Sequence, residues 1–148
     1  MNDRTPIGGL YRPSSFGLQE LVPPIIYNSR GESAWELLDE RALMTLQALR
    51  DALGPITVNN WHSGGAFKES GLRSFDTSTG AKYSQHKFGR AFDCKFGKVT
   101  PREAADYILK HPERFPLLTT IENPDATPTW LHVDCRNHNR QGIWVVNP

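Results

Sequence analysis

The sequence has little of what would take it out of the ordinary globular class. It holds two cysteines, Cys94 and Cys135, too few for the disulfide framework of a small secreted scaffold. No apolar run approaches the ~20 residues that a membrane-spanning helix needs. Neither sign of charge prevails: 17 basic and 16 acidic residues leave a net charge of +1, which gives no electrostatic footprint for nucleic acid or an anionic membrane surface. No internal repeat or low-complexity tract is present. Residues Met1 to Pro6 show no basic stretch leading into an apolar one, so no signal peptide is expected and synthesis should be cytoplasmic. What is present is enough chain, 148 residues, for one domain with a proper hydrophobic core. Eleven prolines and twelve glycines predict a fold rich in loops.

Residues 1–31, with Pro6, Pro13, Pro23 and Pro24, read as an extended arm of little regular structure, packed on the domain through Leu21, Val22, Ile25 and Ile26. Residues 32–148 read as the main domain. Trp35, Leu38, Ala42, Leu46 and Leu49 recur at three- and four-residue steps and predict an amphipathic helix over 33–53. Ser33 and Glu36 would form its capping box, and Gly54-Pro55 its stop. Ile56 to Trp61 reads as a strand. About thirty residues of Gly, Ser, Thr and charge follow, a length that is unusual in a compact domain unless the loop carries function. Phe92 to Phe96 is a second strand, and Thr100, Pro101 and Glu103 open a second helix that ends near His111-Pro112. Strands are expected at 117–122, 130–135 and 142–146. The order predicts an α+β fold, a small antiparallel sheet backed by two main helices and carrying a long loop.

Ser84-Gln-His-Lys-Phe-Gly-Arg-Ala-Phe-Asp93 sets an imidazole, His86, and a carboxylate, Asp93, at the two ends of a short segment with Gly89 and Ala91 between them. Both end groups are good ligands for a divalent metal. In Trp130-Leu-His-Val-Asp-Cys135, strand alternation puts Trp130, His132 and Asp134 on one face and Leu131, Val133 and Cys135 on the other. The apolar face suits a core, which leaves His132 for a cleft. The same alternation turns Cys94 away from Asp93, so both cysteines are expected as small core residues with free thiols. His86, Asp93 and His132 would make a three-ligand site of the kind a catalytic zinc uses, with a fourth position left for water.

Ser84-x-His86-x-x-Gly89-x-Ala91-x-Asp93, followed by Trp130-x-His132-Val-Asp134, resembles the zinc D-Ala-D-Ala carboxypeptidase superfamily of peptidoglycan peptidases, which includes many phage endolysins. The match spans roughly residues 56–136. The resemblance implies one zinc ion held by His86, Asp93 and His132, and cleavage of a peptide bond involving a D-amino acid in a peptidoglycan stem peptide or cross-link. It also implies that Arg73, upstream of the first motif, steadies an oxyanion or a substrate carboxylate. Ser84 and Trp130 would adjoin the substrate. The chain departs from much of the superfamily at Thr129, where a general-base acid three residues before the last histidine is common. The His-Val-Asp pattern is that of another branch, without this acid. The base is then Asp134, Glu122, Asp125 or His62, and Asp134 is equally suited to orienting a ligand imidazole.

The expected protein is thus a monomeric zinc metallopeptidase of endolysin type. It would need no stable membrane association and no nucleic acid, and would reach the periplasmic cell wall through a holin-type partner. The rival expectation is a non-catalytic binding or virion structural protein that keeps the zinc, and Thr129 is what sustains it. The bond cut, D-Ala-D-Ala, L-alanyl-D-glutamate or D-Ala-diaminopimelate, stays open.

Overall fold

The computed structural model describes residues 11–148. Within them lie three α-helices, α1 (Pro24–Arg30), α2 (Glu40–Leu53) and α3 (Pro101–Lys110). Five strands, β1 (Ile56–Thr57), β2 (Ala91–Phe96), β3 (Thr120–Glu122), β4 (Leu131–Asp134) and β5 (Trp144–Val146), form one sheet in the order β1-β2-β4-β3-β5. The class is α+β, as expected. The sheet is mixed: β5 runs parallel to β3, and the other pairings are antiparallel.

The chain before residue 32 is not the extended arm that its prolines suggest. Its first ten residues lie outside the described ones, but 18–20 form a 3₁₀ turn and Pro24 opens α1. Proline at the first helical position loses no hydrogen bond and already has the helical φ, so Pro23-Pro24 starts a helix and does not break one. Leu21 and Val22 are fully buried, while Ile25 is exposed. The helix expected over 33–53 is also divided. Gly31–Leu37 is a 3₁₀ segment, Leu38 is extended, and Asp39 caps α2 by accepting the amide of Arg41 at 2.8 Å. Ser33 makes no capping box; its hydroxyl donates to the Arg30 carbonyl. The break brings the Asp39 amide within 3.0 Å of the Gly89 carbonyl, which ties this segment to the His86 motif.

The expected first strand stops at Thr57, because Asn59 and Asn60 turn their amides to Glu20 and Phe67. The second helix forms as expected, with Thr100 and Glu103 in a reciprocal capping box. Leu131, Val133 and Cys135 of the β4 segment are buried, as are Phe92 and Cys94 of β2. The Cys135 sulfur lies 3.8 Å from Thr45 Oγ1, so this face of the sheet packs on α2. Both thiols are free and buried. Cys94 stands across from Leu131, four residues along β4 from Cys135, or about 13 Å at the strand rise, well beyond disulfide reach. Trp144 is 37% exposed on the edge strand.

Gly89 is where the loop meets the body of the fold. Its φ is +70, and a Cβ there would stand 2.0 Å from the Leu37 carbonyl oxygen. Gly89→Ala should therefore cost at least ~2 kcal/mol, left-handed strain plus a backbone clash. Gly64→Ala, also at positive φ but with nothing within 4 Å, should cost only the strain, about 1–2 kcal/mol. Urea denaturation of the two variants checks this, and equal losses would count against the clash.

Candidate metal centre

Register brings the two sequence motifs together. In the β2–β4 ladder Asp93 stands directly across from His132, and Asp93 Oδ1 lies 3.1 Å from His132 Nδ1. His86 comes from the 3₁₀ turn Gln85–Phe88, which Ser84 caps by accepting the His86 amide. The His86 Nδ1–H donates to the Gly71 carbonyl at 2.8 Å, which leaves Nε2 as the free ring atom. That Nε2 is buried, makes no hydrogen bond, and lies 3.2 Å from Asp93 Oδ1. Ligand atoms of His86, Asp93 and His132 all fall within 4.8 Å of one another, and the three form a group able to hold a metal ion. An orphaned imidazole nitrogen facing a carboxylate and a second imidazole is what a metal would satisfy, so the residues fit the group.

The neighbours hold these ligands in place. His132 Nε2 is 2.7 Å from Asp134 Oδ2, so a proton on Nε2 leaves Nδ1 facing the centre. Asp134 is in turn gripped by Arg136, whose Nε, Nη2 and backbone N–H all donate to it at 2.6–3.1 Å. Its side chain is fully buried. Arg73 donates from Nη2 to Asp93 Oδ2 at 3.3 Å and from Nε to the Glu69 carbonyl at 2.8 Å. Gly80 leaves room for its Nη1, since a Cβ there would lie 2.5 Å from that atom. Below the centre, Lys95 Nζ donates to the Val58 carbonyl and to Ser70 Oγ, and Ser70 accepts the Asp93 amide. Burial lowers this lysine to about 8.

Burial also lowers His86, more than the charge of Asp93 raises it, so its ring stays neutral and ready to ligate. Burial acts in the same direction on His132, but hydrogen bonds to Asp134 and Asp93 prevail and raise it to about 9. Burial would raise Asp93, yet the His132 and His86 rings beside it bring it well below the usual carboxylate range. Asp134 falls to about 2, its burial outweighed by His132 and Arg136.

The centre floors a cleft of about 540 Å³. Of the residues singled out in the sequence, Arg73, Ser84, His86, Asp93, Trp130 and His132 line it, and Asp134 lies beneath. Of the other base candidates only Glu122 lines it. The pair Ile121↔Val133 places Glu122 one step on, across from His132. Asp125 is exposed and paired with Arg102, and His62 is exposed against Trp61. Thr129 is exposed and outside the cleft. Sequence reasoning missed Arg136, which also lines the cleft. Its one signal was its place two residues after Asp134, just past the end of β4. No helix among the described residues is long and apolar enough to cross a membrane.

With His132 near 9, the metal-free centre carries a proton on both ring nitrogens at pH 7, and an entering ion must displace one. Zinc binding should release close to one proton at pH 7 and almost none above pH ~10.5, as read by calorimetry in buffers of different ionisation enthalpy. A histidine raised in the fold stabilises the metal-free protein fully below pH ~6.5 and loses that contribution as pH rises through 9. The melting temperature without metal should therefore fall over that window. Zinc uptake at pH 7 with no proton release would contradict the placement of His132 between two carboxylates. Comparison with protein-family models, curated proteins and solved structures finds no match for the chain, so its function must be argued from this centre.

Proposed function

We propose that the chain is a zinc-dependent peptidoglycan peptidase, hydrolysing an amide bond beside a D-amino acid in a stem peptide or cross-link, as a phage endolysin does. One observation carries the reading. The two halves of the superfamily-like motif, far apart in sequence, meet in one buried His–Asp–His group with an unpartnered imidazole nitrogen, at the floor of an open cleft. Two imidazoles and one carboxylate suit zinc. An ion held by His86, Asp93 and His132 would supply Lewis acidity, polarising a carbonyl and acidifying water.

The chain's own groups do the rest. Asp134, with both oxygens committed to Arg136 and His132, has no free face toward the cleft and acts by fixing the His132 ring. Glu122 is the acid left to move protons. Water adds to the scissile carbonyl carbon and gives a proton to the Glu122 carboxylate. As the C–N bond breaks, Glu122 returns that proton to the leaving nitrogen. Arg73, held by the Glu69 carbonyl and Asp93, presents its guanidinium to the oxygen on which charge develops. Ser84 and Trp130 form walls against which the peptide lies.

Purified Gram-negative peptidoglycan digested with the zinc-loaded protein should yield new muropeptide ends by mass spectrometry. The products should vanish with chelator and return with zinc. Wall binding with no new ends would overturn the peptidase reading in favour of a binding or virion structural protein that keeps its metal. Glu122→Gln should retain one zinc and lose about 10²–10⁴ in kcat; full activity would remove Glu122 from its role. His86→Ala and Asp93→Ala should each lose the metal, and either variant still holding one ion per chain would refute the ligand set.

A further inference from the structure

Two guanidinium groups reach the cleft, and the peptidase reading employs only Arg73. Arg136 stands on the cleft wall with its side chain 31% exposed, above an Asp134 side chain that is fully buried. Its Nε, Nη2 and backbone N–H are committed to Asp134, while Nη1 makes no hydrogen bond among the described residues. The group is therefore anchored on one edge and open on the other, the arrangement in which an arginine receives an oxyanion with little loss of side-chain freedom. Glu122 lies near enough to act on its charge but forms no ion pair with it.

The charge of the cleft favours an anion. Arg73 is paired with Asp93 and Arg136 with Asp134, so among the described side chains lining the cleft Glu122 is the one acid left to oppose a divalent ion at the centre, and these side chains leave the loaded cleft positive. The two arginines are also placed differently. Arg73 touches a metal ligand directly, whereas the His132 ring and the Asp134 carboxylate separate Arg136 from the centre. The nearer guanidinium suits charge that develops on the carbonyl, and the farther one suits charge the substrate already carries.

We propose that Arg136 is the receptor for a free carboxylate on the residue that supplies the scissile nitrogen, and that the cleft selects substrates carrying it. The proposal rests on the peptidase reading and narrows its substrate class. In D-Ala-D-Ala, L-alanyl-D-glutamate and D-Ala-diaminopimelate alike, a carboxylate is bonded to the carbon that bears the scissile nitrogen. One receptor therefore serves all three, and amidation of that carboxylate should blunt all three.

The test pairs stem peptides having that carboxylate free with the same peptides amidated, using zinc-loaded wild type and Arg136→Gln. Binding is read by calorimetry on Glu122→Gln backgrounds and turnover by product release. Wild type should favour the acid over the amide by about ten- to hundredfold, the worth of one charge-assisted hydrogen bond, and Arg136→Gln should bring the ratio near one with zinc retained. A wild type that treats acid and amide alike while cleaving both overturns the proposal and leaves the peptidase reading standing. An acid preference that survives in Arg136→Gln overturns it in favour of another receptor. Absence of both binding and turnover overturns the two readings together. Should Arg136→Gln lose zinc, Arg136→Lys decides, because an ammonium keeps a charge for Asp134 but lacks the planar fork whose second edge faces the cleft. A diminished preference supports the receptor role, and an unchanged one assigns Arg136 to holding Asp134 alone.

Discussion

The centre depends on the register between β2 and β4, which sets Asp93 directly across from His132. A slip of one residue by either strand would turn that strand's side chain to the other face of the sheet and part the pair. What prevents it lies on that other face: Phe92, Cys94, Leu131 and Val133 are all at most 2% exposed. Each large apolar side chain buried there is worth about 1.5–3 kcal/mol, and a slip would expose those of the strand that moved. The polar geometry of the ligands is thus enforced by hydrophobic packing beneath them, and Gly89, pressed against the Leu37 carbonyl, fastens the His86 turn to the same body.

So many ionisable groups in one buried place would be unfavourable if any stood alone. They stand in a row of alternating sign: Arg73, Asp93, His132, Asp134 and Arg136, with successive contacts of 3.3, 3.1, 2.7 and 2.6 Å. Removing one member of a buried pair typically costs 3–5 kcal/mol, because its partner is left uncompensated. The row has cations at both ends, and both ends emerge at the cleft. The arrangement that makes the burial tolerable is therefore also what lines the cleft with two guanidinium groups.

Much of this was legible in the sequence. Period-two alternation in 130–135 separated His132 and Asp134 from Leu131, Val133 and Cys135, and it kept both cysteines out of the ligand set. Thr100 and Glu103 announced α3 through local hydrogen bonds alone. The less legible parts depend on distant partners. Residues 33–53 carry an unbroken helical period, yet the chain breaks at Leu38 because Asp39 both caps α2 and bonds Gly89, fifty residues on. That the segment before residue 32 packs on the domain was legible, but not that the Leu21 carbonyl accepts the amide of Leu72, beside the Gly71 whose carbonyl orients His86. Arg136 gave no motif signal, since its role arises only from the fork it closes on Asp134.

The acid proposed to carry protons shows the same limit from another side. Spacing along the chain directs attention to position 129, three residues before His132, but Thr129 lies before β4 begins and is exposed. In a ladder, the nearest same-face neighbour of a residue is the one across from it, about 4.5–5.5 Å away, and not the one two along its own strand at about 6.6 Å. For His132 the place on β2 is taken by Asp93 and the place on β3 falls to Glu122. An acid at 122 therefore reaches the centre by pairing and needs no fixed distance in sequence. On the proposed reading, the threonine at 129 removes nothing from the cleft, because the acid assigned to move protons, Glu122, stands on the adjacent strand.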